Sequence, residues 1–256
     1  MEIGICGKPE LAAAAKAAGF DYLELPVNGI AAMTEEDYAK AKAAMQAAGL
    51  PCPTFNLLFP GSLKLLEKST TDEEIAAYLE GALNRMRDLG GKIAVFGSGK
   101  SRAKPEGMTY GEAWRRLVEV TRLTGEIAAK YGITIVIEPL NRGECNLINS
   151  VAEGADLAAA ANHPNVSLLA DSYHVAKEGE PFTDIIRVSG VSHAHVATKE
   201  GRRYPTSADD ADTVAFVKAL KVSGYTGRIS VEGKTDDIAV DGPAAIALLK
   251  KLWEDA

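Results

Sequence analysis

The sequence predicts a single (β/α)8 barrel domain over residues 1–256, and three observations carry that prediction. Short runs of β-branched and aliphatic residues alternate with alanine-rich amphipathic stretches along the chain. Several of the amphipathic stretches stop at a glycine just before the next apolar run. Acidic and imidazole side chains stand at the carboxyl ends of the last four runs, the rim where a parallel barrel gathers its chemistry.

The first strand run, Glu2 to Cys6, leads into a helical pattern from Pro9 to Ala18 that Gly19 stops, because glycine adopts the left-handed conformation of a helix end without steric cost. Tyr22 to Leu25 is the second run, followed by a helix from Thr34 to Ala48, with Thr34 as cap and Glu36 in its first turn. Cys52 to Asn56 is the third, and the helix from Asp72 to Leu89 opens on Thr71-Asp72-Glu73-Glu74, acids that offset the exposed amide dipoles. Ile93 to Phe96 precedes a helix from Tyr110 to Tyr131; Thr134 to Glu138 precedes one from Ser150 to Asn162. Ser167 to Asp171, Ser192 to Val196 and Arg228 to Glu232 complete eight strands, with helices at Asp210 to Ser223 and Pro243 to Glu254. Consecutive parallel strands require a crossover, so strict alternation implies a parallel sheet; a doubly wound open sheet would reverse its strand order and not collect ligands from four successive strand ends. The long connections Leu57 to Thr71 and Gly97 to Tyr110 fall on the carboxyl side as candidate lids, with Leu57, Leu58 and Phe59 as a hydrophobic flap or an oligomer contact.

A formal charge of −7 argues against a nucleic-acid surface, which needs a clustered excess of Lys and Arg. Cys6, Cys52 and Cys145 are odd in number and far apart, which excludes a disulfide framework or zinc ribbon and fits thiols in a reducing cytosol. No apolar stretch reaches the roughly 18 residues that span a membrane, and the opening residues do not read as a signal peptide. The expectation is a cytoplasmic protein with a small-molecule partner and neither nucleic acid nor membrane.

Four stretches carry the chemistry: Ile-Glu-Pro-Leu-Asn at 137–141, Ala-Asp-Ser-Tyr-His at 170–174, Ser-His-Ala-His-Val at 192–196 and Val-Glu-Gly-Lys at 231–234. Each strand end offers Glu138, Asp171, His195 or Glu232. One acid at a strand end is ordinarily a cap for the next helix, but three carboxylates and an imidazole in succession make an oxygen-rich ligand set for Mn2+, Mg2+ or Co2+. His193, two residues before His195, points the same way and lies deeper, as an outer hydrogen-bond partner or a packed core residue. Glu24 ends the second strand with a structural role or a substrate contact, and His163 falls on the opposite rim. Gly97-Ser98-Gly99-Lys100-Ser101 imitates the tail of a phosphate-binding loop, yet Ala94 stands where that pattern needs its first glycine. It reads instead as a pliable loop whose amides, with Arg102, meet a polar substrate.

These motifs resemble the xylose isomerase-like TIM barrels, a family that includes ketose 3-epimerases, hydroxypyruvate isomerase, inosose dehydratase and metal-dependent apurinic endonucleases. The resemblance is most specific from Thr134 to Lys234. It implies that Glu138, Asp171, His195 and Glu232 hold a divalent metal, Mn2+ first with Mg2+ or Co2+ as alternatives. It further implies that Glu144, six residues after Glu138, and His174, three after Asp171, contact substrate, as does one of Arg202 and Arg203; a dimer or tetramer is also implied. A chelated cation acidifies the C–H beside a ketose carbonyl, and Glu138 and Glu232 can then remove and return the proton through an enediolate. The function expected is that of a metal-dependent sugar or keto-polyol isomerase or epimerase. A dehydratase of inosose or keto-sugars shares the first step and is the alternative. An endonuclease-like phosphodiesterase is remote, because Asn56 and Phe96 stand where extra histidines are needed, and a non-catalytic carbohydrate-binding barrel is the remaining rival.

Overall fold

Eight short strands pair side by side in chain order, every neighbouring pair parallel, and the last closes on the first. In the computed structural model, which describes residues 1–256, the elements run β1 (Ile3–Cys6), α1 (Ala12–Ala17), β2 (Tyr22–Pro26), α2 (Val27–Ala32), α3 (Glu35–Ala48), β3 (Thr54–Asn56), α4 (Asp72–Asp88), β4 (Ile93–Phe96), α5 (Gly99–Arg102), α6 (Tyr110–Lys130), β5 (Thr134–Ile137), α7 (Val151–Ala161), β6 (Val166–Asp171), α8 (Ser172–Glu178), α9 (Asp184–Arg187), β7 (Val191–Val196), α10 (Ala211–Val222), β8 (Ile229–Val231) and α11 (Ile238–Asp255). The chain is a closed (β/α)8 barrel, as its alternating pattern requires. No helix is long and apolar enough to cross a membrane.

Side chains alternate along a strand, so one inward residue implies the next two positions on. Val136, Leu169, His193 and Ser230 face the barrel axis, and two residues later Glu138, Asp171, His195 and Glu232 do so again, one layer nearer the carboxyl rim. The register between β6 and β7 shifts at Leu168/Leu169, an extra residue that sets Asp171 level with His195. Val95, Val136 and Leu169 form an apolar cluster of their own inside the barrel, separate from the larger core between strands and helices. The floor is filled by Tyr22, whose ring crosses the space that Gly4 leaves: a Cβ on Gly4 would lie 2.2 Å from that ring.

Helix starts follow the sequence signals. Thr71 and Thr109 form reciprocal capping boxes with Glu74 and Glu112, and Thr34 and Ser150 accept from the backbone N–H of Asp37 and Glu153. Gly19, Gly90, Gly132 and Gly224 take positive φ where the sequence marks helix stops. Three features depart from the expectation. The connections after β2, β4 and β6 carry the short helices α2, α5, α8 and α9, which the amphipathic pattern does not mark. The last helix begins at Ile238 rather than Pro243, because the Asp237 carboxylate caps the N–H of Ala239 and leaves Pro243 in the second turn. The hydrophobic flap is not one: Leu58 and Phe59 are buried, Phe59 packing 5.1 Å from the Phe96 ring, and only Leu57 is exposed. The two long connections are stitched together, with Ser101 Oγ donating to the Leu63 carbonyl (2.7 Å) and the Leu65 N–H to that of Ser101 (2.9 Å).

Replacing Gly4 with Ala drives a methyl group into the Tyr22 ring. The expected loss is about 1–3 kcal/mol, typical of overpacked cores, read as a lower urea midpoint at unchanged slope.

Candidate active site

Glu138, Asp171, His195 and Glu232 bring one ligand atom each into a cluster in which all lie within 4.8 Å of one another. Glu138 and Glu232 sit one residue past the ends of β5 and β8. They flank the imidazole: His195 Nδ1 is 3.3 Å from Glu138 Oε1 and 3.4 Å from Glu232 Oε2. Asp171 divides its carboxylate between two tasks. Its Oδ1 accepts from the Tyr173 N–H at 2.7 Å and so caps α8, while its buried Oδ2 has no hydrogen-bond partner. The cap and the ligand, alternatives in the sequence, are the two oxygens of one side chain.

Beneath this layer lies Glu24, fully buried, which accepts from four donors. His195 Nε2 reaches its Oε1 at 2.9 Å; His193 Nε2 (2.7 Å), Thr54 Oγ1 (2.8 Å) and Ser230 Oγ (2.6 Å) reach Oε2. Tyr22 OH joins below, 2.8 Å from Ser230 Oγ. With its Nε2 proton committed to Glu24, His195 presents Nδ1 to the cluster, the carboxylate–histidine arrangement that orients metal ligands. Burial alone would raise the Glu24 pKa, but the charges and hydrogen bonds of the two imidazoles hold it well below the usual carboxylate range. Glu24 therefore acts beneath the site as the partner of His195. Its signal in the sequence was its place at a strand end, which said nothing about the histidines across the barrel.

The walls are set by Gly97, Arg102, Asn56, Asn141 and His174. Glu138 Oε2 fills the space over Gly97, where a Cβ would lie 2.0 Å away, so the Gly-Ser-Gly stretch makes room for a carboxylate, not a phosphate. Arg102, expected to meet substrate, is instead fully buried and donates to the Phe96 and Glu138 carbonyls, both at 2.7 Å. It ties the ends of β4 and β5 together. Asn56 Nδ2 donates to Glu232 Oε1 at 3.1 Å. The Asn141 N–H donates to His174 Nδ1 at 3.1 Å, and burial lowers the His174 pKa, so His174 is neutral with its proton on Nε2. That nitrogen is buried and unpartnered, 3.8 Å from Asp171 Oδ2.

Of the two candidate arginines, Arg202 enters the site. Its Nη2 donates to Glu232 Oε2 at 2.5 Å and lies 3.7 Å from Asp171 Oδ2, its Nη1 is 3.5 Å from Glu144 Oε1, and its guanidinium covers the Tyr173 ring at 4.6 Å. Arg203 turns outward to Asp236 at 2.5 Å and does not join the cluster. Glu144, half-exposed at the rim, also accepts from Asn141 Nδ2 at 3.0 Å. A cavity of about 280 Å3 opens onto these groups, lined by Cys6, Leu57, Glu138, His174, Arg202 and Lys234 among others. A larger one of about 1050 Å3 is an open trough outside the capped starts of α4 and α6; it holds none of the converging groups.

The donor set fits a divalent cation. Above Glu24, the carboxyls of Glu138, Asp171 and Glu232 share His195 and Arg202 as counter-charges, and burial pushes the Glu138 and Asp171 carboxyls up. Burial would raise Glu232 too, but the charge and hydrogen bond of His195, then Arg202, hold it down to about 2. Burial disfavours charge on His195, yet the Glu24 carboxylate and then its other neighbours raise its pKa well above the ordinary imidazole value. A cation held by the free Asp171 Oδ2, His195 Nδ1 and the two glutamates would supply the missing positive charge.

Residues 12–252 match the family described as xylose isomerase-like TIM barrel. The chain is 27% identical to the L-ribulose 3-epimerase of Methylomonas sp., over 98% of this chain and 87% of that one. It is 32% identical to the D-psicose 3-epimerase of Ruminiclostridium cellulolyticum over 46% of this chain, a match spanning only 41% of the relative's length. The fold superposes on the crystal structure of D-allulose 3-epimerase from Methylomonas sp. in complex with D-allulose with a TM-score of 0.86, at 21% identity, over 98% of this chain and 96% of the other.

Two outcomes are expected of metal binding. A cation must displace the His195 Nδ1 proton and any protons on Glu138 and Asp171, so Mn2+ uptake near neutral pH should release about one proton or more, and affinity should weaken as pH falls; titration calorimetry in buffers of different ionisation enthalpy reads both. Replacing Glu24 with Gln puts an amide donor against the imidazole and hydroxyl donors around it. Mn2+ affinity should drop roughly 10- to 100-fold, and unchanged affinity would reduce Glu24 to a packing residue.

Proposed function

The chain belongs to the xylose isomerase-like TIM barrel family and is an isomerase or epimerase enzyme; from that footing we propose that it epimerises a free ketose at the carbon next to the carbonyl, with Mn2+ as the preferred cation and Mg2+ or Co2+ as substitutes. The observation that carries this reading is the pair Glu138 and Glu232, two carboxyls flanking one imidazole nitrogen at the mouth of one cavity, with unequal proton affinities. Enzymes that run acid and base chemistry side by side need this separation.

A divalent cation bound by Glu138, Asp171, His195 and Glu232 would acidify the C–H beside the substrate carbonyl. Glu232, held ionised by His195 and Arg202, removes that proton from one face. Glu138, whose burial raises its proton affinity, relays a proton drawn from solvent to the other face, and the carbon inverts. His174 donates its unpartnered Nε2–H, and Arg202 its guanidinium, to the oxygen on which negative charge develops. Arg102 and Gly97 hold Glu138 in place, and Asn56 and Arg202 hold Glu232. The cavity, about 280 Å3 with Leu57 and Leu140 on its apolar side and Glu144 and Lys234 at its polar rim, suits an unphosphorylated monosaccharide. The relatives' names, L-ribulose and D-psicose 3-epimerase, support a ketopentose or ketohexose.

The test is incubation of ketopentoses and ketohexoses with the Mn2+-loaded protein in deuterated water, read by chromatography and mass. An epimer carrying solvent deuterium at the inverted carbon is expected; a product lighter by one water would mean a dehydratase. Glu232→Gln keeps an oxygen donor but removes the base, so epimerisation should fall by about 10²-fold or more while Mn2+ still binds. Near-normal epimerisation in that variant would rule out the two-base reading.

A further inference from the structure

Cys6 is the one thiol at the cation cluster. It ends β1 beside Glu24, lines the cavity, and places Sγ within 4.8 Å of a His195 nitrogen and a Glu232 oxygen, which lie equally close to each other. Cys52 and Cys145, by contrast, are buried and belong to no such group. Beside the buried group of Glu24, His193 and His195, the barrel thus offers two overlapping ligand sets that share His195 and Glu232. Glu138, Asp171, His195 and Glu232 are hard, oxygen-rich donors; Cys6, His195 and Glu232 combine sulfur, nitrogen and oxygen.

The geometry points to a second cation-binding mode, in which Cys6, His195 and Glu232 hold a thiophilic divalent ion such as Zn2+ or Cd2+, to the exclusion of an ion in the oxygen-rich set. Zinc accepts three mixed protein ligands of these types with a water in the fourth position. Thiolate selects such soft ions, whereas Mn2+ and Mg2+ prefer carboxylate and water. The modes exclude one another because they share His195 and Glu232. His195 has only Nδ1 to offer, its Nε2 being bound to Glu24 at 2.9 Å. Binding forms a metal–sulfur bond and releases the thiol proton to solvent, with no change of oxidation state. The inference shares two residues with the proposed Mn2+ site but concerns a different ion and a different ligand set. A thiophilic ion would withdraw Glu232 from its place opposite Glu138 and inhibit by competition with the activating metal.

Cadmium reports directly on sulfur, because thiolate-to-cadmium charge transfer absorbs in the ultraviolet and carboxylate ligation does not. The metal-free full chain is titrated with Cd2+ in parallel with Cys6→Ser, and Mn2+ binding to both is followed by electron paramagnetic resonance. In the native chain one equivalent of Cd2+ should raise the band and displace bound Mn2+. In Cys6→Ser the band should be absent and Cd2+ affinity weaker by at least the roughly 10- to 100-fold that loss of even an outer partner costs. Cadmium bound without the band, a band that survives the substitution, or no Cd2+ uptake overturns the inference. Failure of Mn2+ to bind while the band appears would instead overturn the oxygen-rich site and leave this mode standing.

Discussion

The structure is organised around a crowd of like charges placed in the least hospitable part of the molecule. Four carboxyl groups, Glu24, Glu138, Asp171 and Glu232, converge at the carboxyl end of a closed barrel with His193 and His195 below and Arg202 above to answer them. Leaving ions buried without counter-charge costs several kcal/mol each. The protein answers this in two layers. Glu24 is satisfied outright by four donors from β3, β7 and β8, so it stays ionised beneath the site. Glu138 and Asp171, which lack such donors, are pushed up by burial and accept either a proton or a cation.

That division ties the fold to the chemistry. Only a closed barrel can bring β2 against β7, which is what lets Glu24 take the Nε2 protons of both His193 and His195. Once His195 is held from below, Nδ1 points upward between Glu138 and Glu232, and the convergence of the four side chains follows. The same economy appears in Asp171, whose two oxygens serve a helix cap and the cluster. Arg102 and Gly97 act at one remove, the first by joining the ends of β4 and β5, the second by leaving space for the Glu138 carboxylate.

Unequal surroundings also separate residues of one type. Glu138 and Glu232 occupy equivalent places, each one residue beyond its strand, yet Arg202 and Asn56 reach only Glu232. The two carboxyls therefore differ in proton affinity, although their places along the strands are equivalent. His174 and His195 are separated likewise: burial lowers the pKa of the first, whose Nδ1 accepts a backbone N–H, and a carboxylate on Nε2 raises the pKa of the second against its burial.

The barrel and the convergence of Glu138, Asp171, His195 and Glu232 are legible in the sequence because both are encoded locally. Alternation of period two makes Glu138, Asp171, His195 and Glu232 inward residues once their strands are recognised, and glycines and acidic first turns mark where helices stop and start. What the sequence left open depends on contacts between residues far apart in the chain. Glu24 and His195 lie 171 positions apart, and no local pattern announces their hydrogen bond. Arg102 looked available to substrate until packing buried it, and Leu58 and Phe59 looked like a flap until Phe96 and Tyr78 covered them. Arg202 and Arg203, adjacent and chemically identical, were separated only by a backbone in which Arg202 takes φ of 49° and sends its side chain inward. Periodicity tells which face a residue occupies; which partner waits there is a property of the closed barrel, because ring closure alone determines what lies across the axis.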